Sequence, residues 1–185
     1  MPRAGALLFS FLPLLFPLAI AIRPNITAIN ARNGRSTLEC WELRACPFTW
    51  YEPGTVSAAI AELGATSNLS MAIIDPSFDN GLHHAPAKQW VMYTSGLVHI
   101  TLPDDNSTSA YVSGGEFGLV FAADTADISR QGHRTRYLGT SEVIALQIPT
   151  KDGEVPAHTV LHEGPCDANE VVGLRKLVAE GTSYT

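Results

Sequence analysis

The chain has 185 residues, which suits a single domain, and 45% hydrophobic against 16% charged residues, a globular composition rather than a disordered one. Its formal charge is −6 and it contains no Lys/Arg-rich cluster. Nucleic acid and anionic lipid surfaces are therefore excluded as expected partners.

Residues 1–21 read as a cleavable signal peptide. Arg3 supplies the positive start, Ala4 to Leu18 is almost wholly apolar, and Ala19-Ile-Ala21 places small residues ahead of a cleavage site. Losing Arg3 with that segment takes the charge from −6 to −7. A membrane anchor is the competing reading, because the run approaches the ~20 residues of a spanning helix. The Ala-x-Ala ending and the polar continuation favour cleavage, so a secreted protein without a stable membrane anchor is expected. Sequons at Asn25, Asn68 and Asn106 fit that route as glycosylation sites. Three cysteines, Cys40, Cys46 and Cys166, imply one disulfide and one remaining thiol. Three pairings are possible; Cys40–Cys166 is the expected one, since it would tie an N-terminal strand to the end of the domain.

Residues 22–36 are polar and carry Asn and Gly, and read as a loose leader. The domain proper is expected over 37–166, with a helix and tail over 167–185. Thr37 to Leu43 alternates as a strand does, and Cys46 to Gly54 reads as an irregular segment closed by Pro-Gly. Val56 to Leu63 suits a helix by its alanines, but its position favours a short strand. Leu69 to Ile74 is a strand stopped at Asp75-Pro76.

Ser95-Gly96 reads as the loop of a hairpin that pairs Tyr93 with Val98, Val91 with Ile100 and Gln89 with Leu102. These six share one face, and Trp90, Met92, His99 and Thr101 take the other. Further strands are expected over Phe117–Phe121, His133–Tyr137, Val143–Ile148 and His158–His162. Val171, Val172, Leu174, Leu177 and Val178 then have the spacing of a short amphipathic helix. Short strands with turn signals about every ten residues indicate an all-β barrel or sandwich.

Two motifs carry a resemblance. Gly81-Leu-His-His-Ala-Pro-Ala-Lys-Gln-Trp runs on to Gly96, and Ala122-Ala-Asp-Thr leads to Gly132-His-Arg-Thr. Over roughly residues 70–150 the chain resembles the cupin superfamily, whose first motif reads G-x5-H-x-H-x3-4-E-x6-G. It also resembles small secreted single-domain cupins of filamentous fungi. The resemblance implies an all-β, single cupin-type β-barrel or jelly roll of six to eight strands, with a short C-terminal helix. Gly96 matches the terminal glycine, Gln89 stands at the acid position and His84 at the second histidine. Leu82 replaces the first histidine. His133 matches the second motif, where Gly115-Glu-Phe-Gly118 stands for Pro-x-Gly, and Asp124-Thr125 resembles the Asp-Thr of one subgroup. Strand alternation by itself places His83, rather than His84, on the face of Gln89.

The family's metal site maps here onto His84, Gln89 and His133. Such a set suits Fe, Mn, Cu or Zn, although Gln lacks the charge of the family's Glu. Without metal, His84 and His133 form a proton-transfer pair, Asp124 orients His133, Tyr93 joins them, and Arg134 or Arg136 meets an anionic ligand group. Three functions follow: an acid–base isomerase, cyclase or dehydratase acting on a small molecule in a biosynthetic pathway, a metal-dependent oxygenase, or a non-catalytic extracellular ligand- or carbohydrate-binding protein. A homodimer accords with the resemblance. Serine-nucleophile, phosphate-loop and dinucleotide motifs are absent from the sequence.

Overall fold

The computed structural model describes residues 23–44 and 61–171. Eleven strands make two sheets, so the all-β expectation holds and the strand count exceeds it. The strands are β1 (Asn25–Arg32), β2 (Arg35–Leu43), β3 (Ser70–Ile74), β4 (Asp79–His83), β5 (Gln89–Tyr93), β6 (Leu97–Thr101), β7 (Ser109–Ser113), β8 (Leu119–Ala122), β9 (His133–Leu138), β10 (Val143–Pro149) and β11 (His158–Glu163). A seven-stranded sheet runs β11-β2-β1-β8-β5-β10-β3, and a four-stranded sheet runs β4-β9-β6-β7. They pack as a jelly-roll-like sandwich. A short helix α1 (Ala168–Val171) follows; the rest of the expected C-terminal helix, the signal peptide and Val56 to Ile60 lie outside the described residues.

The expected leader is instead a central strand. β1 lies between antiparallel β2 and parallel β8. Its Ile26 and Ala28 bury on one face and Thr27 and Ile29 on the other, as a strand covered on both sides requires. Asn33 and Gly34, both at positive φ (53° and 78°), turn it into β2. Left-handed Asn-Gly is the preferred loop of a tight hairpin.

The Ser95-Gly96 hairpin does not form. β5 is flanked by β8 and β10, and β6 by β7 and β9, so the two strands lie in different sheets. With both edges of β5 taken, β6 has no place to pair. The Thr94 amide donates to the Ile144 carbonyl at 2.8 Å and the Ile144 amide to Ser95 Oγ at 3.1 Å, pinning the corner to β10. Gly96, at φ 78°, turns the chain across the sandwich. The predicted faces survive the lost pairing: Val91, Tyr93, Val98, Ile100 and Leu102 share one core between the sheets with Ile29, Leu38 and Val120.

A second core covers the other face of the large sheet. Trp41, Trp90, Phe121, Ile26 and Ala28 pack there against Leu63, Val155 and Val160. Trp90 and Phe121 meet edge to face at 4.8 Å, and Trp41 stacks on His158 at 3.6 Å. The Cys40–Cys166 disulfide forms as expected. It joins β2 to the segment before α1, where the Cys166 amide also donates to Thr27 Oγ1 at 3.1 Å.

Candidate functional site

At one end of the sandwich the close of β8, the start of β9 and the end of β4 converge. His133 opens β9 with its side chain inward, as the alternation of buried His133, Thr135 and Tyr137 with exposed Arg134 and Arg136 dictates. His83 is its cross-strand partner in β4. The two rings lie 4.5 Å apart, centroid to centroid. Gly132, at φ 70°, stands directly against the His83 carbonyl, where a Cβ has no room. This close approach sets the imidazole pair.

Hydrogen bonds converge on Asp124 from Ser36 on one side and His133 on the other. The Gly132 amide donates to Ser129 Oγ at 3.0 Å, and Ser129 Oγ lies 2.8 Å from Ser36 Oγ. Ser36 Oγ donates to Asp124 Oδ2 at 2.6 Å, so the hydroxyl of Ser129 supplies the hydrogen between the two serines. The same Asp124 oxygen lies 2.8 Å from His133 Nδ1. A carboxylate only accepts, so Nδ1 carries hydrogen and the neutral ring keeps its lone pair on Nε2. Asp124 is fully buried, and its Oδ1 has no hydrogen-bond partner among the described residues.

His83 Nδ1 donates to the Gly81 carbonyl at 3.0 Å, leaving Nε2 with the lone pair. Burial, ahead of the nearby His133, holds the His83 imidazole below its ordinary range. His84 turns the other way, its Nε2 donating to the Ser129 carbonyl at 3.0 Å. The neighbour of His133 is thus His83, the alternative that strand alternation favoured, and His84 braces the 125–132 loop. His83 and His84 are only part-buried, so the cluster reaches solvent on the β4 side.

The remaining predicted residues are dispersed. Gln89 is buried on the inner face beside Ala122, two positions before Asp124. Tyr93 lies four residues further along β5, about 13 Å at strand rise. It packs in the core hydrogen-bonded to Tyr137, and burial pushes its hydroxyl far above the usual range. Asn68 and Asn106 are exposed, and Asn25 is half-buried, its amide 3.4 Å from the Glu170 carbonyl. Ser36 and Ser129 are additions that no motif marked.

The cupin resemblance implies a metal held by His84, Gln89 and His133, and the donor set does not fit it. His84 Nε2 is committed to a carbonyl. Among the described residues, three His, Cys, Asp or Glu ligand atoms gather within 4.8 Å only at Cys40, Cys166 and Glu170. Both sulfurs there are spent in the disulfide.

A cleft of about 610 Å³ has Ser36 in its wall together with Leu38, Leu102, Arg35, Glu39 and Arg130, while His83, Asp124 and His133 do not line it. Ser36 is thus shared between the cleft and Asp124.

No protein-family model matches the chain, and no curated protein matches its sequence. Among solved structures it is similar to the capsular polysaccharide assembling protein CapF from Staphylococcus aureus, at 16% identity over 75% of this chain, with a TM-score of 0.35. The chain spans 34% of CapF. It is also similar to NovW, a 4-keto-6-deoxy sugar epimerase from the novobiocin biosynthetic gene cluster of Streptomyces spheroides. That match has 14% identity and a TM-score of 0.29, over 88% of this chain and 94% of NovW. Likenesses so distant leave the reading of the site to its own geometry.

Proposed function

We propose that this is a secreted cupin-type enzyme that moves a proton on a small molecule, in an isomerisation, cyclisation or dehydration. The observation that carries the reading is the buried Asp124–His133 pair at 2.8 Å, with Asp124 itself held by Ser36. Asp124 fixes the tautomer of His133, so Nε2 is the proton acceptor, and the carboxylate then stabilises the imidazolium that forms. His83, held neutral by its surroundings, stands on the solvent side of His133 as the second proton-handling ring.

Solvent exchange tests this without knowledge of the product. The purified protein is incubated in D2O with a panel of small carbonyl compounds, and C–H to C–D replacement is followed by NMR. Exchange that is lost in His133→Gln and Asp124→Asn but kept in His84→Gln is the expected result. A panel with no exchange, together with variants that lose only stability, assigns the dyad to structure alone.

A second reading rests on the aliphatic filling of the space between the sheets by Ile29, Val91, Val98, Ile100 and Val120. It makes the chain a non-catalytic binding protein whose histidine cluster closes one end. The disulfide supports an oxidising compartment, and the exposed Asn68 supports glycosylation there. β3 is an uncharged edge strand that exposes Met71 and Ile73, with exposed Leu69 just before it, which supports a homodimer.

A further inference from the structure

The outer face of the four-stranded sheet bears chemistry that the proton-transfer site does not use. Arg136 on β9, His99 on β6 and Tyr111 on β7 are direct cross-strand partners and form one straight row. Arg134, Thr101 and Ser109 form the row beside it. Both rows line a groove of about 580 Å³, within the range of small-ligand sites; its wall also carries Asn106 and Asp105, whose carboxylate accepts from the Ser107 hydroxyl at 2.6 Å.

Each position has a distinct capacity. The Tyr111 ring is stacked on His99, with centroids 4.2 Å apart and planes 8° from parallel. Tyr111 is nevertheless 65% exposed, so its other face is open. Burial, and then the charge of Arg136, hold His99 below the ordinary imidazole range, which keeps the stacked pair neutral. Arg136 Nη2 donates to His99 Nδ1 at 3.4 Å, and His99 Nε2 has no hydrogen-bond partner among the described residues. Arg134 is neutralised by Asp79 through a two-pronged ion pair, with Nε to Oδ1 at 2.9 Å. No ion pair joins Arg136 to a carboxylate among the described residues. The groove therefore offers an open aromatic face and, on the far side of the His99 ring, the Arg136 guanidinium. Hydroxyls lie alongside.

We infer that this groove binds acidic saccharide chains. The open Tyr111 face suits the C–H face of a sugar ring, Arg136 meets a ring carboxylate of a neighbouring unit, and Thr101 and Ser109 bond sugar hydroxyls. A nucleotide is disfavoured, because only one aromatic face is offered and, among the described residues, no helix starts at the groove. The inference stands independently of the proton-transfer reading, which concerns the opposite face of β9.

The test is an NMR titration of the full-length, disulfide-bonded, 15N-labelled protein with trigalacturonic acid. Maltotriose, inorganic phosphate and ADP serve as separate probes. The expected result is saturable movement of the Tyr111, His99 and Arg136 signals with trigalacturonic acid, at least roughly tenfold tighter than with maltotriose. Tyr111→Ala and Arg136→Gln each weaken binding roughly tenfold while the remaining spectrum stays in place, and Arg136→Lys retains part of the affinity. Three outcomes overturn the inference: no movement at these residues with trigalacturonic acid, equal binding of phosphate alone, or preference for ADP.

Discussion

Ser36 and Asp124, 88 positions apart in sequence, meet through a 2.6 Å hydrogen bond buried at the end of the sandwich. The bond couples β2 to the loop that leads into β9, and through Asp124 it fixes the orientation of His133.

Removing the carboxylate tests that coupling. Asp124→Asn keeps the shape but can present its amide to Nδ1, which reverses the His133 tautomer. Proton-transfer activity is expected to fall roughly 10²–10⁴-fold. Stability is expected to fall by about 1–3 kcal/mol, because a buried donor loses its charged acceptor. Deuterium exchange and urea unfolding read the two effects separately. Ser36→Ala should produce a smaller loss in both.

Acid should destabilise the protein through His83. Its pKa is lowered on folding, chiefly by burial. The unfolded chain therefore binds the proton more readily, and the stabilisation is present above the ordinary imidazole pKa of 6.5 and lost as pH falls below it. His99 acts with the same sign. Exposed His162, raised by the Glu163 carbonyl and by Glu170, acts oppositely: its contribution is present below 6.5 and fades as pH rises through its raised value. Urea midpoints taken between about pH 7.5 and 5.5 should drop on acidification. The drop should be shallower in His83→Gln and steeper in His162→Gln.

The disulfide closes a long loop, with 126 positions separating Cys40 from Cys166. On chain-entropy grounds its removal is expected to cost about 4–5 kcal/mol. Cys40→Ala/Cys166→Ala, compared with the oxidised protein by chemical denaturation, measures this. An unchanged midpoint would show that the unfolded chain is already restricted there.

Gly132→Ala probes the close approach behind the imidazole pair. The added Cβ meets the His83 carbonyl and the residue sits at φ 70°, so β4 must retreat from the 125–132 loop. A loss of about 1–3 kcal/mol is expected. The signature that separates this from general damage is a changed His83–His133 contact, read from the ring-proton NOEs of the two histidines.

Much of the architecture could be read locally. Thr37 to Leu43 and Val143 to Ile148 form strands as expected, the second running on through Pro149, and the inward set Val91, Tyr93, Val98 and Ile100 follows from parity alone. Parity also marked His83. The pairing of β5 was misread because a Ser-Gly turn specifies a change of direction, not the sheet that receives the next strand. The leader was misread for its polar ends, although Asn33-Gly34 is the strong signal for a hairpin there. Ser36 and Ser129 could not be found by pattern, since their role depends on contacts across some ninety residues. The outward placement of Arg134 and Arg136 follows once the strand carrying His133 has its inner face assigned.

The position of β1 has a consequence for how the chain is assembled. The β1–β2 hairpin can close as soon as it is made, yet the other edge of β1 pairs only with Leu119–Ala122 of β8. During vectorial synthesis that edge, with its apolar flanks Ile26 and Ile29, must wait for some ninety further residues and for a non-local parallel pairing, a slow kind of step. The β1–β2 hairpin is thus made well before it is enclosed, and until β8 arrives the nascent chain is open to aggregation or chaperone capture at β1.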